Sequence, residues 1–395
     1  MRWRPLRRGL SLIILLLFFY ALLGRTDVSN ELARNLSGTQ VVPGMMRLLG
    51  PWSLNREFLL TFLSLLLIMV FTLFFGRVYC SLICPLGISQ DCLLMISRRL
   101  RTRGYKVFLN TRRVRYPVFF LSLLLFFGGS LIPLNLLDPF AAWSRLVREI
   151  LLPLTVPISR GLNYLVKSFG FYFPLTDFSF FLPVSGFVFL FLLLLIPFTL
   201  LKGRVYCSWI CPVGTFLGFF SLRCRYSINI DKEQCTTCGL CERICKTGSI
   251  NAKEKRVNRE LCILCGNCLQ VCPGRAIGFG GVKKTLARGE KEPGTKISRR
   301  SFLKNLCGFF FSAAVLISTT SFLPIKRREA DARGGEIKPA TPPGSLGIVR
   351  FSSRCVSCHL CVSKCPGKVL RPSLLEYGLS GILQPVMDFK KGFCE

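Results

Sequence analysis

At 395 residues, with 51% hydrophobic residues and a mean hydropathy of +0.46, the chain is too apolar for a water-soluble globule of its length. A formal charge of +33 would suit a nucleic-acid binder. That charge is gathered into clusters between apolar stretches, which membrane topology explains and nucleic-acid binding does not.

Taken in chain order, apolar stretches cover 10–23, 58–75, 116–134, 184–201 and 306–323. Each approaches the roughly 20 residues needed to cross hydrocarbon, the first being the shortest. One basic cluster, Arg2, Arg4, Arg7 and Arg8, precedes the first stretch. A second, from Arg98 to Arg115, separates the second and third, and another leads up to Arg300. Segments 25–57 and 135–178 mix acids with bases. The positive-inside rule then places the N-terminus in the cytoplasm. The first four stretches form two hairpins and the fifth exits to the outer face of the cytoplasmic membrane.

The two hairpins carry a repeat. Gly76-Arg77-Val78-Tyr79-Cys80-Ser81-Leu82-Ile83-Cys84-Pro85-Leu86-Gly87 follows the second stretch, and Gly203-Arg204-Val205-Tyr206-Cys207-Ser208-Trp209-Ile210-Cys211-Pro212-Val213-Gly214 follows the fourth. If each continues helically, cysteines four apart share a face. Pseudo-symmetric hairpins then bring Cys80, Cys84, Cys207 and Cys211 together at the cytoplasmic membrane edge. Structural packing, redox thiols acting on quinol, and a shared metal site all remain open for these four. Asp138 reads either as a proton acceptor for quinol or as an exposed turn residue before Pro139, the proline favouring the turn.

The next cysteines are more specific. Cys235-x2-Cys238-x2-Cys241-x3-Cys245 and Cys262-x2-Cys265-x2-Cys268-x3-Cys272-Pro273 match the bacterial ferredoxin run for two [4Fe–4S] clusters, in which the fourth cysteine serves the other cluster. One cluster is assigned to Cys235, Cys238, Cys241 and Cys272, the other to Cys262, Cys265, Cys268 and Cys245. Lys246 departs from the pattern, standing where proline usually follows. Zinc prefers paired Cys-x2-Cys units, and a disulfide framework does not suit the reducing cytoplasm. Cys92 and Cys307 read as packing residues, while Cys224 has no assigned role.

Ser298-Arg299-Arg300-Ser301-Phe302-Leu303-Lys304 reads as a twin-arginine export signal in mid-chain. Beyond it, Ala330-Asp331-Ala332 has the small residues of a cleavage site. A third ferredoxin run follows, Cys355-x2-Cys358-x2-Cys361-x3-Cys365-Pro366. Its Cys355-x2-Cys358-His359 also spells a haem-attachment motif, but the register continues into a full cluster run in which His359 fills a variable position. The run lacks a second half. With Cys394 as a further candidate ligand near the end, the exported ferredoxin is expected to be truncated or completed by a partner subunit.

These pieces divide the chain into a four-span membrane domain (1–222), a cytoplasmic two-cluster ferredoxin domain (223–280), a basic linker (281–297), the signal with its fifth span (298–324), a second linker (325–347) and an exported, incomplete ferredoxin segment (348–395). The expected fold is an α-helical membrane bundle with small α+β ferredoxin units.

The paired Cys-x3-Cys-Pro hairpins followed by a two-cluster ferredoxin resemble the NapH and NosR type of membrane polyferredoxin. The tail from Ser298 resembles the twin-arginine-exported NapG type. The resemblance implies quinol as electron donor, a membrane quinone pool, and an exported reductase, cytochrome or ferredoxin as partner. It implies an electron-carrier subunit, with a quinol dehydrogenase component as the enzymatic version. A maturation factor for a respiratory metalloenzyme and a redox-sensing membrane regulator are the competing classes.

Cys238→Ala or Cys265→Ala is expected to remove one cluster's iron and sulfide and to destabilise the inner ferredoxin domain. Unchanged iron content and cluster spectrum in either variant would overturn the ligand assignment.

Overall fold

The computed structural model describes residues 3–24, 26–49, 55–100, 111–154, 157, 161, 182–281, 340–345, 347–374, 376–378, 381–389 and 392–394. The twin-arginine segment 298–304, the cleavage-like Ala330-Asp331-Ala332, the fifth apolar stretch with Cys307, linker residues 282–297 and residues 325–339 of the second linker lie outside the described residues.

The basic N-terminal segment does not stop the first helix. It extends it, so that α1 (Trp3–Leu23) runs 21 residues and is longer than the apolar stretch 10–23. The reason is that Arg7 is taken inside, donating to the Ser81 carbonyl and pairing with Asp91 at 3.3 Å. Two short helices, α2 (Asp27–Gly38) and α3 (Val41–Leu48), then fold back against α4 (Arg56–Phe75). Among the described residues, α1 and α4 are the two helices long and apolar enough to cross a membrane.

After α4 come α5 (Tyr79–Leu82) and α6 (Pro85–Leu100). The third expected span is interrupted: α7 (Arg112–Phe127) ends at Gly128-Gly129, and the chain restarts as α8 (Ile132–Leu137) with Pro133 near its start. Gly129 at φ +83° takes a backbone conformation that a helix cannot continue through. Next, α9 (Pro139–Leu146) passes into a π-helical turn, Val147–Leu151. The second repeat comprises α10 (Leu182–Lys202), a π-helical turn at Tyr206–Ile210, and α11 (Pro212–Ser221).

The two repeats pack reciprocally. Helix α6 of the first lies against α10 of the second, and α11 of the second lies against α4 of the first. Their shared core is apolar, whereas Leu59, Phe62, Leu63, Leu66, Leu67, Phe189, Leu190, Leu193 and Leu194 are exposed on α4 and α10.

The inner ferredoxin domain pairs β1 (Tyr226–Ile230) with β4 (Ile277–Gly281), antiparallel, and carries α12 (Leu240–Ile244), a short hairpin of β2 (Ile250–Asn251) with β3 (Arg256–Val257), and α13 (Asn267–Val271). The last segment has α14 (Ile348–Ser352), α15 (Leu360–Lys364) and an antiparallel pair, β5 (Leu370–Pro372) with β6 (Pro385–Met387).

These two cysteine-bearing pieces meet opposite ends of α1. Arg4, at its start, donates to Gln270 of the inner domain. Past its far end, Gly24 and Ser29 accept from Lys364 of the last segment. A 21-residue helix measures about 30 Å, the thickness of a hydrocarbon core.

The inner domain is held by ionic contacts. Lys246, the residue in place of proline, is buried and pairs with Asp91 at 2.7 Å, while its carbonyl accepts from Arg204 N at 2.7 Å. A side chain at Gly203 would place its Cβ 2.3 Å from that carbonyl. Burial pushes the Lys246 ammonium down to about 8, against the opposing pull of Asp91. Asp91 also meets Arg204 and Arg7. Burial raises its carboxyl, but the three cations outweigh that and hold it well below the usual carboxylate range.

Asp91→Leu strands three buried cations. The expected cost is about 3–5 kcal/mol, the range for breaking a buried ion pair from one side. It is measured as a lower unfolding temperature of the purified chain in detergent; an unchanged temperature would contradict this reading.

Candidate functional site

Three loops carry the ferredoxin runs, and they share one backbone. In each, the residue two after the first cysteine is left-handed: Thr237 (φ +55°), Leu264 (+51°) and Ser357 (+52°). Two further on, Gly239, Gly266 and His359 are left-handed again, each capping a five-residue helix. The fourth cysteines, Cys245, Cys272 and Cys365, all end that helix in an extended conformation. Left-handed Thr, Leu and Ser are costly, and such strain collects where a loop must wrap a ligand.

The inner loops bring their cysteines together in two cavities. One is lined by Cys235, Cys238, Cys241 and Cys272, the other by Cys245, Cys262, Cys265 and Cys268. Each takes three thiols from one run and its fourth from the other. Cys245 Sγ accepts from the Ser249 amide at 3.2 Å. Burial pushes the Cys262 thiol up to about 12 and the Cys241 thiol to about 11. Metal ligation removes such protons outright. Among the described residues, no three Cys, His, Asp or Glu side chains converge on a site for one ion. Four thiols around a common cavity, three from one run and one from the other, fit a [4Fe–4S] cluster.

In the last segment, Cys355, Cys358 and Cys361 lie within range of one another's charge. His359, which the spacing puts at a variable position, occupies the left-handed site that glycine fills in the inner loops. It is buried, and its Nε2 donates to the Leu383 carbonyl at 2.8 Å. That is a packing role. The loop docks on the helical core, where Ser144 donates to the Cys358 carbonyl and Arg354 to the Leu49 carbonyl. Cys394 is exposed, close in sequence to Gly392, which approaches Gly367 beyond Cys365.

Cys80, Cys84, Cys207 and Cys211 are all buried in the shared core of the two repeats. The expectation of one continuous helix through each motif fails. Pro85 and Pro212 lack the N–H a helix needs and disfavour helical conformation in the preceding residue. The chain therefore breaks at Cys84 and Cys211, whose amides reach back five residues, to Tyr79 and Tyr206 at 3.0 Å. Tertiary packing, not a common helix face, assembles the four.

Two arginines cross that assembly. Arg77 donates to the Cys207 carbonyl at 2.9 Å, and Arg204 donates to the Cys80 carbonyl at 2.8 Å. Each repeat thus grips the other's first cysteine. The glycine closing each motif makes room: a Cβ on Gly87 would lie 2.3 Å from the Cys80 carbonyl, and one on Gly214 would lie 2.5 Å from Arg77 Nη2.

Three further residues differ from or extend the sequence reading. Asp138 is not an exposed turn; it is buried, capping α9 by accepting from the Ala141 amide at 2.8 Å. Cys224, unassigned from sequence, sits beside Gly76 and within range of Cys262. Cys92 is half-buried against the core.

A family described as a 4Fe-4S binding domain matches residues 58–103 and again 184–228, and one described as a 4Fe-4S dicluster domain matches 227–289. An uncharacterised protein of Methanocaldococcus jannaschii is 27% identical over 188 residues, covering 46% of this chain and 63% of that relative's length. The methylamine utilization ferredoxin-type protein MauN of Methylobacillus flagellatus is 26% identical over 253 residues, covering 62% of this chain and 76% of MauN. No solved structure matches.

Gly87→Ala and Gly214→Ala are expected to cost about 1–3 kcal/mol each through overpacking. Gly186→Ala, with open space around it, should be nearly neutral. Thermal unfolding of the three variants checks this, and equal stability of all three would contradict the close packing. The chain carries 4Fe-4S ferredoxin-type domains and is distantly similar to a ferredoxin-type protein.

Proposed function

We propose that the protein is an electron carrier of the cytoplasmic membrane, of the NapH and NosR type joined to a NapG-like segment, taking electrons from the quinol pool towards an exported reductase. The observation that carries this reading is the placement of cysteine loops of one backbone type at opposite ends of α1. A soluble ferredoxin has no use for that separation. The exposed leucines and phenylalanines of α4 and α10 favour lipid as the surrounding medium.

Cys235, Cys238, Cys241 and Cys272 would hold one inner [4Fe–4S] cluster, and Cys262, Cys265, Cys268 and Cys245 the second. Cys355, Cys358 and Cys361 would serve a third on the outer face, with Cys365 and Cys394 as further candidate ligands. Bound clusters supply one-electron transfer. The protein's own residues fix the spacing: Lys246 and Asp91 seat the inner domain, and Ser144 and Lys364 seat the outer loop. Similarity to a ferredoxin-type protein supports the same class.

Anaerobic membranes containing the protein should show its clusters reduced by a menaquinol analogue and reoxidised once an exported reductase and its substrate are added. Clusters that stay oxidised with quinol, together with a deletion strain that respires normally but has one metal-depleted respiratory enzyme, would replace the carrier with a maturation factor.

A further inference from the structure

We infer that Cys80, Cys84, Cys207 and Cys211 hold one iron–sulfur cluster shared between the two repeats, set in the helical core between the inner and outer cysteine loops. It rests on the electron-carrier reading and adds a centre to it.

The thiol inventory is the first ground. Among the described residues, each repeat buries two cysteines in this core, with Cys92 half-buried against it, and a set of four cysteine thiolates ligates both [2Fe–2S] and [4Fe–4S] clusters. The third cysteines of the matched segments are placed differently: Cys224 faces Gly76 and lies within range of Cys262, while Cys92 is half-buried against the core, within range of the Asp91 and Lys246 charges. Neither repeat completes a four-thiolate set alone; the two together do. The four thiols lie within range of one another's charge, without converging on a single-ion site.

Charge is the second. Among the described residues, five buried cations towards the inner domain (Arg7, Arg77, Arg115, Arg204 and Lys246) face two buried carboxylates, Asp91 and Glu260. Towards the outer loop the count is even, Arg145 and Arg148 against Asp138 and Glu149. Arg77 is the sharpest case. It is fully buried and has no carboxylate partner among the described residues; its Nη1 and Nη2 donate to the carbonyls of Glu260 and Cys207, and Nη2 lies 3.9 Å from Cys80 Sγ. With four neutral thiols this is a buried, uncompensated cation, which folded proteins avoid. A thiolate-ligated cluster carries the missing negative charge.

Local dipoles agree. Cys211 caps α11, its Sγ accepting from the Gly214 amide at 3.3 Å, and Cys84 immediately precedes α6. Helix N-termini favour thiolates. Gln90 is fully buried, with Oε1 against Cys207 Sγ at 3.1 Å and Nε2 without a partner. Beside a thiolate the amide turns end for end and donates that N–H to sulfur.

Position gives the centre its use. Cys265 of the inner domain and Cys358 of the outer loop both pack against the core that contains these four cysteines. Each handover moves one electron from a reduced cluster to its oxidised neighbour, with no bond or proton change.

The full chain, purified anaerobically, is compared with Cys80→Ser/Cys207→Ser and with Arg77→Gln by iron and sulfide analysis and electron paramagnetic resonance. The double variant is expected to lose about two to four iron atoms per chain and one signal, leaving the inner-loop signals unchanged. Arg77→Gln is expected to keep its iron and to lower the midpoint potential of that same signal, since losing a cation disfavours the more negative, reduced form. Equal iron, sulfide and signals in wild type and double variant would overturn the shared cluster. If the double variant does not accumulate, unchanged potentials of every centre in Arg77→Gln would overturn it equally. Failure of quinol to reduce the clusters, with the iron loss intact, would instead remove the electron-donor reading and leave this site standing.

Discussion

The two repeats of the helical core are joined by a crossed pair of arginines, Arg77 and Arg204, each donating to the first cysteine carbonyl of the other repeat. The crossing explains the two closing glycines, because each guanidinium passes where a side chain would stand. It also ties the core to the inner domain: Arg77 reaches the Glu260 carbonyl, and Arg204 shares Asp91 with Lys246. Removing either guanidinium takes a hydrogen bond from a buried carbonyl of the opposite repeat, so the two motifs are coupled.

The polar groups of the core are linked in series from the inner domain: Lys246 meets Asp91, Asp91 meets Arg204, and Arg204 meets the Cys80 carbonyl. The repeat-equivalent tyrosines are bonded as well, Tyr79 donating to Gln40 and Tyr206 to the Leu137 carbonyl at 2.8 Å. Asp138 and Arg145 follow, with Cys358 close to both. A helical bundle that exposes leucine and buries arginine inverts the soluble pattern. Buried charge on this scale costs several kcal/mol per ion unless it is paired, so these groups are retained against a stability cost.

Much of this was legible in the chain. The Cys-x2-Cys-x2-Cys-x3-Cys spacing gave the inner loops and their crossed grouping, because spacing dictates which thiols one tight loop can present. The duplicated hairpins gave the partnership of Cys80, Cys84, Cys207 and Cys211. A single helix through each motif is ruled out by Pro85 and Pro212, which interrupt the hydrogen-bond ladder. Lys246 was visible only as a departure from pattern; its meaning needed Asp91, 155 positions away in sequence but 2.7 Å from its ammonium. Asp138 and His359 show the same limit: a turn-like residue and a haem-like residue are both buried caps, set by contacts that no local window contains.

The proposed electron path needs metal centres at both ends of one helical core. Sealed, right-side-out membrane vesicles, reduced anaerobically and probed by electron paramagnetic resonance with an impermeant paramagnetic relaxing agent outside, test it most directly. The signal lost in Cys358→Ala should be the one relaxed from outside, while those lost in Cys238→Ala and Cys265→Ala should respond only when the agent is sealed inside. All signals responding from one side would contradict it.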